Sequence, residues 1–341
     1  LRNDEPLDPD PRPSRGRPAA LLAVRVSPAD AGRRVTVRHR YDGDTLTDVV
    51  GRLLGWEDGV LRVERRDGRV VDVRADDVVA AKVVAPEVAA QEMQAVAERG
   101  WPPFETASLG EWVLRWSGGV TGRANSVRVA GSPGMALPDA LRAVESWYAD
   151  RGAPPLLQVP TPSAYDDGLD AAGWAVARRT VLRTSPTRSL LDASARPAPD
   201  GIRLERMDQP SAELLELVDP GLDTEALTRI LTGPAERVFV EVRDVDGTLL
   251  GTGRASATSA PSGRWAGVTS IATVPAARRQ GVATLVMADL ARWALEHDCP
   301  RTYLQALGDN EPAAQLYERL GMPVHHAYAY RSPVPGAVSP W

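Results

Sequence analysis

The sequence predicts a small all-β barrel followed by a duplicated α/β unit, with three observations behind that reading. Residues 21–86 break into short runs of alternating apolar and polar residues separated by tight-turn signals. From Glu87 onward, helical periodicity alternates with short apolar runs, the pattern of helices packed on a sheet. Finally, a stretch in the first half of that region recurs in the second at an offset of roughly 150 residues.

In the barrel region, Arg33 to Tyr41 alternates, Asp42-Gly43-Asp44 interrupts it, and Thr47 to Trp56 resumes. Glu57-Asp58-Gly59 and Asp67-Gly68 are hairpin signals because Gly and Asp accept positive φ. Val60–Arg65, Arg69–Arg74 and Val78–Val84 complete five expected strands, a size and spacing that suit an SH3-like or Tudor-like barrel. Basic and acidic residues alternate along them, so no basic face is expected. Ahead of them, residues 1–20 are polar and proline-rich and read as a flexible leader.

The first α/β copy is expected over 87–190. It has a helix from Glu87 stopped by Gly100, a strand at Trp112–Trp116, and a strand-like segment at Thr121–Val127. A helix over Leu137–Arg151, a buried strand at Leu156–Pro160, a short helix at Asp166–Ala172 and a strand at Trp174–Thr184 follow. Residues 186–200 are rich in Pro, Ala and Ser and read as a linker, placed at 191–200. The second copy covers 201–332, with a tail at 333–341. The repeat pairs residues 142–160 with 288–307, each a Trp-bearing helix leading to a strand with a central glutamine, Gln158 or Gln305. It also pairs 169–174 with 317–322.

Composition narrows the class. The 341 residues carry a net charge of −5, which gives no general attraction to nucleic acid or anionic lipid. One cysteine, Cys299, rules out an intrachain disulfide and favours a reduced, cytoplasmic setting. No apolar run approaches the roughly 20 residues a membrane helix needs. No spacing resembles a metal site.

The chemistry-bearing stretch is 265–284. Val268, Ile271 and Val274 form a β-prone run, and Pro275 ends it because proline cannot donate to a ladder. Arg278-Arg279-Gln280-Gly281-Val282-Ala283 is a tight turn, and Ala283-Thr284 open an amphipathic helix. Amides at a helix start lack internal partners and carry partial positive charge, so they suit a phosphate or pyrophosphate. This R-x-x-G-x-A turn between a strand and a helix resembles the acyl-CoA loop of the GNAT N-acetyltransferase superfamily. With the duplication and the barrel, the chain resembles a group of tandem-GNAT proteins from actinobacteria.

The resemblance implies acetyl-CoA as donor, direct attack by an amine, and roles for particular residues. Ile271, Thr273 and Val274 would pair with pantetheine. Arg278, Arg279, Gln280, Gly281, Val282, Ala283 and Thr284 would hold the pyrophosphate, with Asn310 nearby. Tyr317 would protonate the departing thiolate. The strand 268–274 has no acid, so Glu241 on the preceding hairpin is the nearest candidate base, with His325 and His326 as alternatives. At the matching place in the first copy stands Arg128–Pro133. Proline lacks an N–H, so that loop is expected to be degenerate and the first copy to wall the acceptor pocket, with Arg123 and Asn125 on substrate. The expected activity is N-acetylation of a small-molecule or peptide amine. The other readings are a non-catalytic acyl-CoA sensor and a nucleic-acid-binding barrel tethered to an enzyme.

Overall fold

The computed structural model describes residues 24–32, 34–41, 45–65, 69–84, 88–221 and 223–334. The leader, the Asp67-Gly68 turn and most of the tail lie outside the described residues. The chain divides into two compact units, Leu1–Glu87 and Val88–Trp341.

The first unit contains strands β1 (Val24–Arg25), β2 (Arg34–Tyr41), β3 (Thr45–Glu57), β4 (Val60–Glu64), β5 (Val70–Arg74) and β6 (Val78–Val83). They form one sheet in the order β1-β6-β2-β3-β4-β5. The expected strands are present, and Val24–Arg25 adds one by pairing in parallel with β6. Asp58 and Gly59 both take positive φ, 50° and 73°, as a two-residue hairpin whose twist matches its strands requires. Val35, Val37, Leu61 and Val63 point inward and are fully buried. On the outer face, Arg38, Arg52 and Arg62 stand directly opposite Asp48, Glu64 and Asp72 and pair with them. Each of these cross-strand pairs cancels its own charge.

The second unit begins with α1 (Ala90–Gly100), β7 (Glu105–Leu109), β8 (Trp112–Trp116), β9 (Val127–Arg128), α2 (Leu137–Ala149) and β10 (Leu157–Thr161). Next come α3 (Asp166–Ala171), β11 (Ala175–Pro186), α4 (Thr187–Ser194), β12 (Arg203–Met207), α5 (Ala212–Val218) and α6 (Thr224–Thr232). The chain ends with β13 (Arg237–Arg243), β14 (Leu249–Ala260), β15 (Gly263–Thr273), α7 (Val282–Glu296), β16 (Arg301–Leu307), α8 (Glu311–Arg319) and β17 (Val324–Ser332). All eleven strands share one sheet, in the order β12-β13-β14-β15-β16-β11-β17-β10-β9-β8-β7.

The duplication is visible in this order. Parallel pairing occurs where a helix carries the chain across, β9-α2-β10 in the first half and β15-α7-β16 in the second. The closing strands are exchanged: β11 of the first half lies between β16 and β17, and β17 of the second half lies between β10 and β11. The repeats therefore share one sheet.

Two local expectations need correction. Residues 187–194 are not linker but helix α4, which buries Leu190 against α7 because Leu190-Leu191 supply an apolar edge that composition alone hid. Residues 121–126 are not a strand. Their backbone is gathered by the Asn125 side chain, which accepts from the Ser117 and Gly119 amides at 2.7 and 3.0 Å and donates to the Val120 and Thr121 carbonyls.

The core under the second half packs α7 on the sheet through Val240, Val268, Val286 and Leu290. A second core packs α2 on β8 and β10 through Trp112, Val144, Tyr148 and Leu157. Tyr303 ties α1 to the sheet. Its hydroxyl fills the room left by missing side chains, 2.4 Å from where a Cβ on Gly100 would stand and 2.3 Å from one on Gly267. The ring is itself buried and cannot swing away. Gly267→Ala should therefore lower stability by about 1–3 kcal/mol, read as a fall in denaturant midpoint with unchanged slope.

Candidate active site

The site begins where two strands part. β15 and β16 pair in parallel from Trp265–Arg301 to Val268–Leu304 and no further, although β15 runs on to Thr273 and β16 to Leu307. The divergence coincides with a bulge opposite Gly253, where Ser270 takes φ 56°. On its other edge β15 stays paired with β14, Ala272 opposite Thr252 and Thr273 opposite Gly251. The cleft thus exposes one backbone edge of β15 while the other remains tied. Ser270 Oγ is buried and has no hydrogen-bond partner among the described residues.

Beyond β15 the chain makes a short turn at Pro275–Ala277 and enters the loop. Arg279 at φ 63° and Gly281 at φ 86° reverse the backbone, and Gly281 caps α7. A glycine is required at 281, because positive φ disfavours a side chain and a Cβ there would stand 2.9 Å from Arg196 Nη1. Among the described residues, the amides of Arg279, Gln280, Gly281, Val282 and Ala283 find no acceptor in the chain. Five orphan donors at one helix start fit a pyrophosphate. The Thr284 amide is turned to Gly281 O at 3.0 Å and is not among them. Arg278, Arg279 and Arg196 are exposed around the loop. Arg196, which follows α4, was hidden in the stretch that composition reads as linker.

Of the three cleft residues expected from resemblance, Ile271 lines the cavity, whereas Thr273 and Val274 lie beyond it. The Val274 amide is already bonded to Leu250 O at 3.0 Å, so it cannot also pair with a ligand. Asn310 and Tyr317 both line the cavity. Asn310 caps α8 by accepting from the Ala313 amide at 3.1 Å. Tyr317 is buried, its hydroxyl has no partner among the described residues, and desolvation pushes its pKa up to about 12.

The cavity offers about 220 Å³ to water-sized molecules and is built from both repeats. The first half supplies Thr121 and Arg123 from the loop and Arg178 and Thr180 from the exchanged strand β11. The second supplies Asp219, the splayed strands and Tyr328 and Tyr330 of β17. Arg123 stacks on Trp101 with Cζ 5.0 Å from the ring centre. Arg178 stands opposite Tyr330 across the β11–β17 ladder. Arg123 Nε and Arg178 Nη1 are buried without hydrogen-bond partners among the described residues.

Asp219, at the end of α5, is the one acid on the cavity wall among the described residues and is 7% exposed. Burial alone raises its pKa from 3.8 to about 6. Sequence gave no signal for it, because Asp219-Pro220-Gly221 reads as an ordinary helix stop.

Four other expected candidates fall elsewhere. Glu241 is 1% exposed and turned away from the cavity, held by the Ser211 hydroxyl and by Arg243. Its carboxylate is engaged by that ion pair and hydroxyl and does not line the cavity. Asn125 is committed to its own loop, as described above. His325 and His326 contact each other, and His326 contacts Gln94 of α1, also outside the cavity wall. Cys299 is buried in the core.

The corresponding loop of the first half is filled from within. The Glu111 carboxylate accepts from the Ser132 amide at 2.6 Å, and a Cβ on Gly131 would stand 2.1 Å from Glu111 Oε2. The carboxylate thus sits against the Gly131–Ser132 turn. No helix follows until Leu137.

Solved structures share this fold. A GCN5-related N-acetyltransferase from Kribbella flavida aligns with TM-score 0.57 at 20% identity, over 73% of this chain and 96% of that one. A functionally unknown conserved protein from Staphylococcus epidermidis ATCC 12228 aligns with TM-score 0.51 at 11% identity, over 70% and 98%. With its splayed strands above a Gly-capped loop, this unit has the GNAT fold.

The family is defined more closely by sequence. Residues 87–331 match the model described as the C-terminal region of the probable histone acetyltransferase Rv0428c, and the chain belongs to that family. Residues 29–82 match the Rv0428c N-terminal Sm-like domain, the description that fits the barrel expected as SH3-like. The "Uncharacterized N-acetyltransferase YobR" of Bacillus subtilis (strain 168) is 26% identical over 250 residues, 70% of this chain and 96% of that protein.

Carboxyl-carbon NMR of the Asp219 side chain checks the electrostatics independently of activity. Its titration midpoint should lie at about 6. A midpoint near the ordinary value of about 4 would mean that the carboxyl is solvated.

Proposed function

We propose that the protein transfers the acetyl group of acetyl-CoA to a primary amine, with donor in the second repeat and acceptor in the cavity between repeats. The observation that carries this reading is the run of five unpartnered amides at 279–283, beside a cleft whose exposed strand edge leads to Tyr317 and Asp219. The amides, with Arg278, Arg279 and Arg196, would hold the pyrophosphate. Ile271 and its neighbours on β15 would line the pantetheine arm. When bound, acetyl-CoA supplies the acyl group as an activated thioester.

The chain's own residues supply proton transfer and positioning. Asp219, ionised above pH about 6, takes the proton from the incoming ammonium so that nitrogen presents its lone pair. Tyr317, with its pKa pushed to about 12, remains protonated at neutral pH and gives its hydroxyl proton to the leaving sulfur. The apolar wall, including Trp101, Val218 and Leu227, excludes water and strengthens both interactions. The first repeat contributes acceptor contacts and no donor site, in keeping with the Glu111 carboxylate in its loop. The lone buried thiol and the absence of a membrane-length apolar helix among the described residues suit a cytoplasmic enzyme.

Amine-dependent release of CoA thiol tests the reaction, and three variants test the roles. Tyr317→Phe should lower kcat by roughly a hundredfold while leaving CoA affinity unchanged. In the parent chain, kcat/KM should rise as pH climbs through about 6, because the base works deprotonated, and Asp219→Asn should remove that limb. Gly281→Val should abolish CoA binding by calorimetry without unfolding the chain. Tight CoA binding with no turnover on any amine would leave a sensor in place of the enzyme.

A further inference from the structure

The cavity's charges do not balance. Arg123 and Arg178 line it, and each keeps a buried N–H with no acceptor and no ion-pair partner among the described residues. Just behind the wall, Arg254 is fully buried. It bonds only to the Leu231 and Gly100 carbonyls and the Thr269 hydroxyl, and desolvation lowers its pKa to about 9. Arg123 and Arg254 lie against the same indole, Trp101, at 5.0 and 5.8 Å. Like charges so placed repel, and burial removes the water that would screen them.

Asp219 does not supply the missing counter-charge. It lines the same cavity but forms no ion pair with either arginine among the described residues. Arg178 stands opposite Tyr330 across the ladder, and Arg123 and Tyr330 line the same cavity. Among the described residues the cavity wall thus carries two arginines and one acid.

We propose that the acceptor is a small amine that also bears a carboxylate, with Arg123 and Arg178 holding the carboxylate while the amine faces Asp219. This rests on reading the cavity as the acceptor site of an N-acyltransferase and adds the substrate class to it. Guanidinium donors match a carboxylate in charge and geometry. A polyamine or a lysine-rich peptide would bring more positive charge to a site that already has an excess. Arg178 reaches the site only through the exchange of closing strands, so the specificity belongs to the duplicated architecture and not to one repeat.

The test uses the full chain with matched acceptors: glycine, β-alanine, γ-aminobutyrate and glutamate against their carboxamides, with spermidine and a lysine peptide as cationic arms. Binding is measured by calorimetry on the CoA-saturated protein, and turnover by CoA release. At least one carboxylate should exceed its own carboxamide by about tenfold or more in both affinity and kcat/KM. Arg178→Gln and Arg123→Gln should each erase about tenfold of that preference through KM, and Arg178→Lys should restore part of it. Circular dichroism confirms that each variant is folded. Arginine-dependent binding of carboxylates without CoA release would sink the transferase reading and leave standing only the carboxylate site at Arg123 and Arg178. Preferential acetylation of carboxamides, spermidine or the peptide would do the reverse. Failure of every carboxylate both to bind and to react overturns the inference.

Discussion

Two parallel strands that stop pairing at Val268 and Leu304 create this site, and the rest of its construction follows from that separation. A parallel ladder normally continues as long as both strands do, since each buried amide left unpaired costs free energy of its own. Here β15 gives up the ladder with several residues still to run. The bulge at Ser270 turns it away, and β14 holds its far edge so that only the cleft side is left open. Gly251 and Gly253 on β14 allow α7 to lie close on that far edge. A Cβ there would meet Val282 at 2.6 Å and Val286 at 2.4 Å. The same packing that fixes the cleft therefore fixes the start of α7, where the free amides are.

Duplication supplies what one copy lacks. A single repeat would close its sheet with its own last strand and leave the cavity mouth beside β16 bounded by its own residues. Exchanging β11 and β17 places the first half's Arg178 and Thr180 beside the second half's Tyr328 and Tyr330. In the first half the Glu111 carboxylate bonds the turn at Gly131–Ser132, whereas the loop at 279–283 has no such internal partner among the described residues. In the N-terminal unit three arginines, Arg38, Arg52 and Arg62, are neutralised pairwise across strands.

Much of this was legible in the sequence because it is local. Alternation gave the β2–β6 strands, Asp58-Gly59 gave the hairpin, and Pro275 through Gly281 gave the strand, turn and helix of the loop. The repeat showed through Gln158 and Gln305, which now prove to bond Arg115 and Tyr328. What stayed hidden is non-local. An acid at the end of α5 looks solvated until the fold buries it, and Glu241 looked available until Ser211 and Arg243 closed on it. Asn125 reads as a polar binding residue, yet four backbone groups of its own loop claim it. The exchanged strands leave no local trace, because residues 175–186 alternate the same way whichever neighbour they pair with.

The most direct test of the central claim is a crystal structure of the chain with CoA. The pyrophosphate should lie on the amides of Arg279 to Ala283 with the thiol in the cleft near Tyr317, and the loop at 128–133 should remain closed over Glu111. Pyrophosphate density at 128–133, or a CoA whose thiol lies outside the cleft between β15 and β16, would contradict the account.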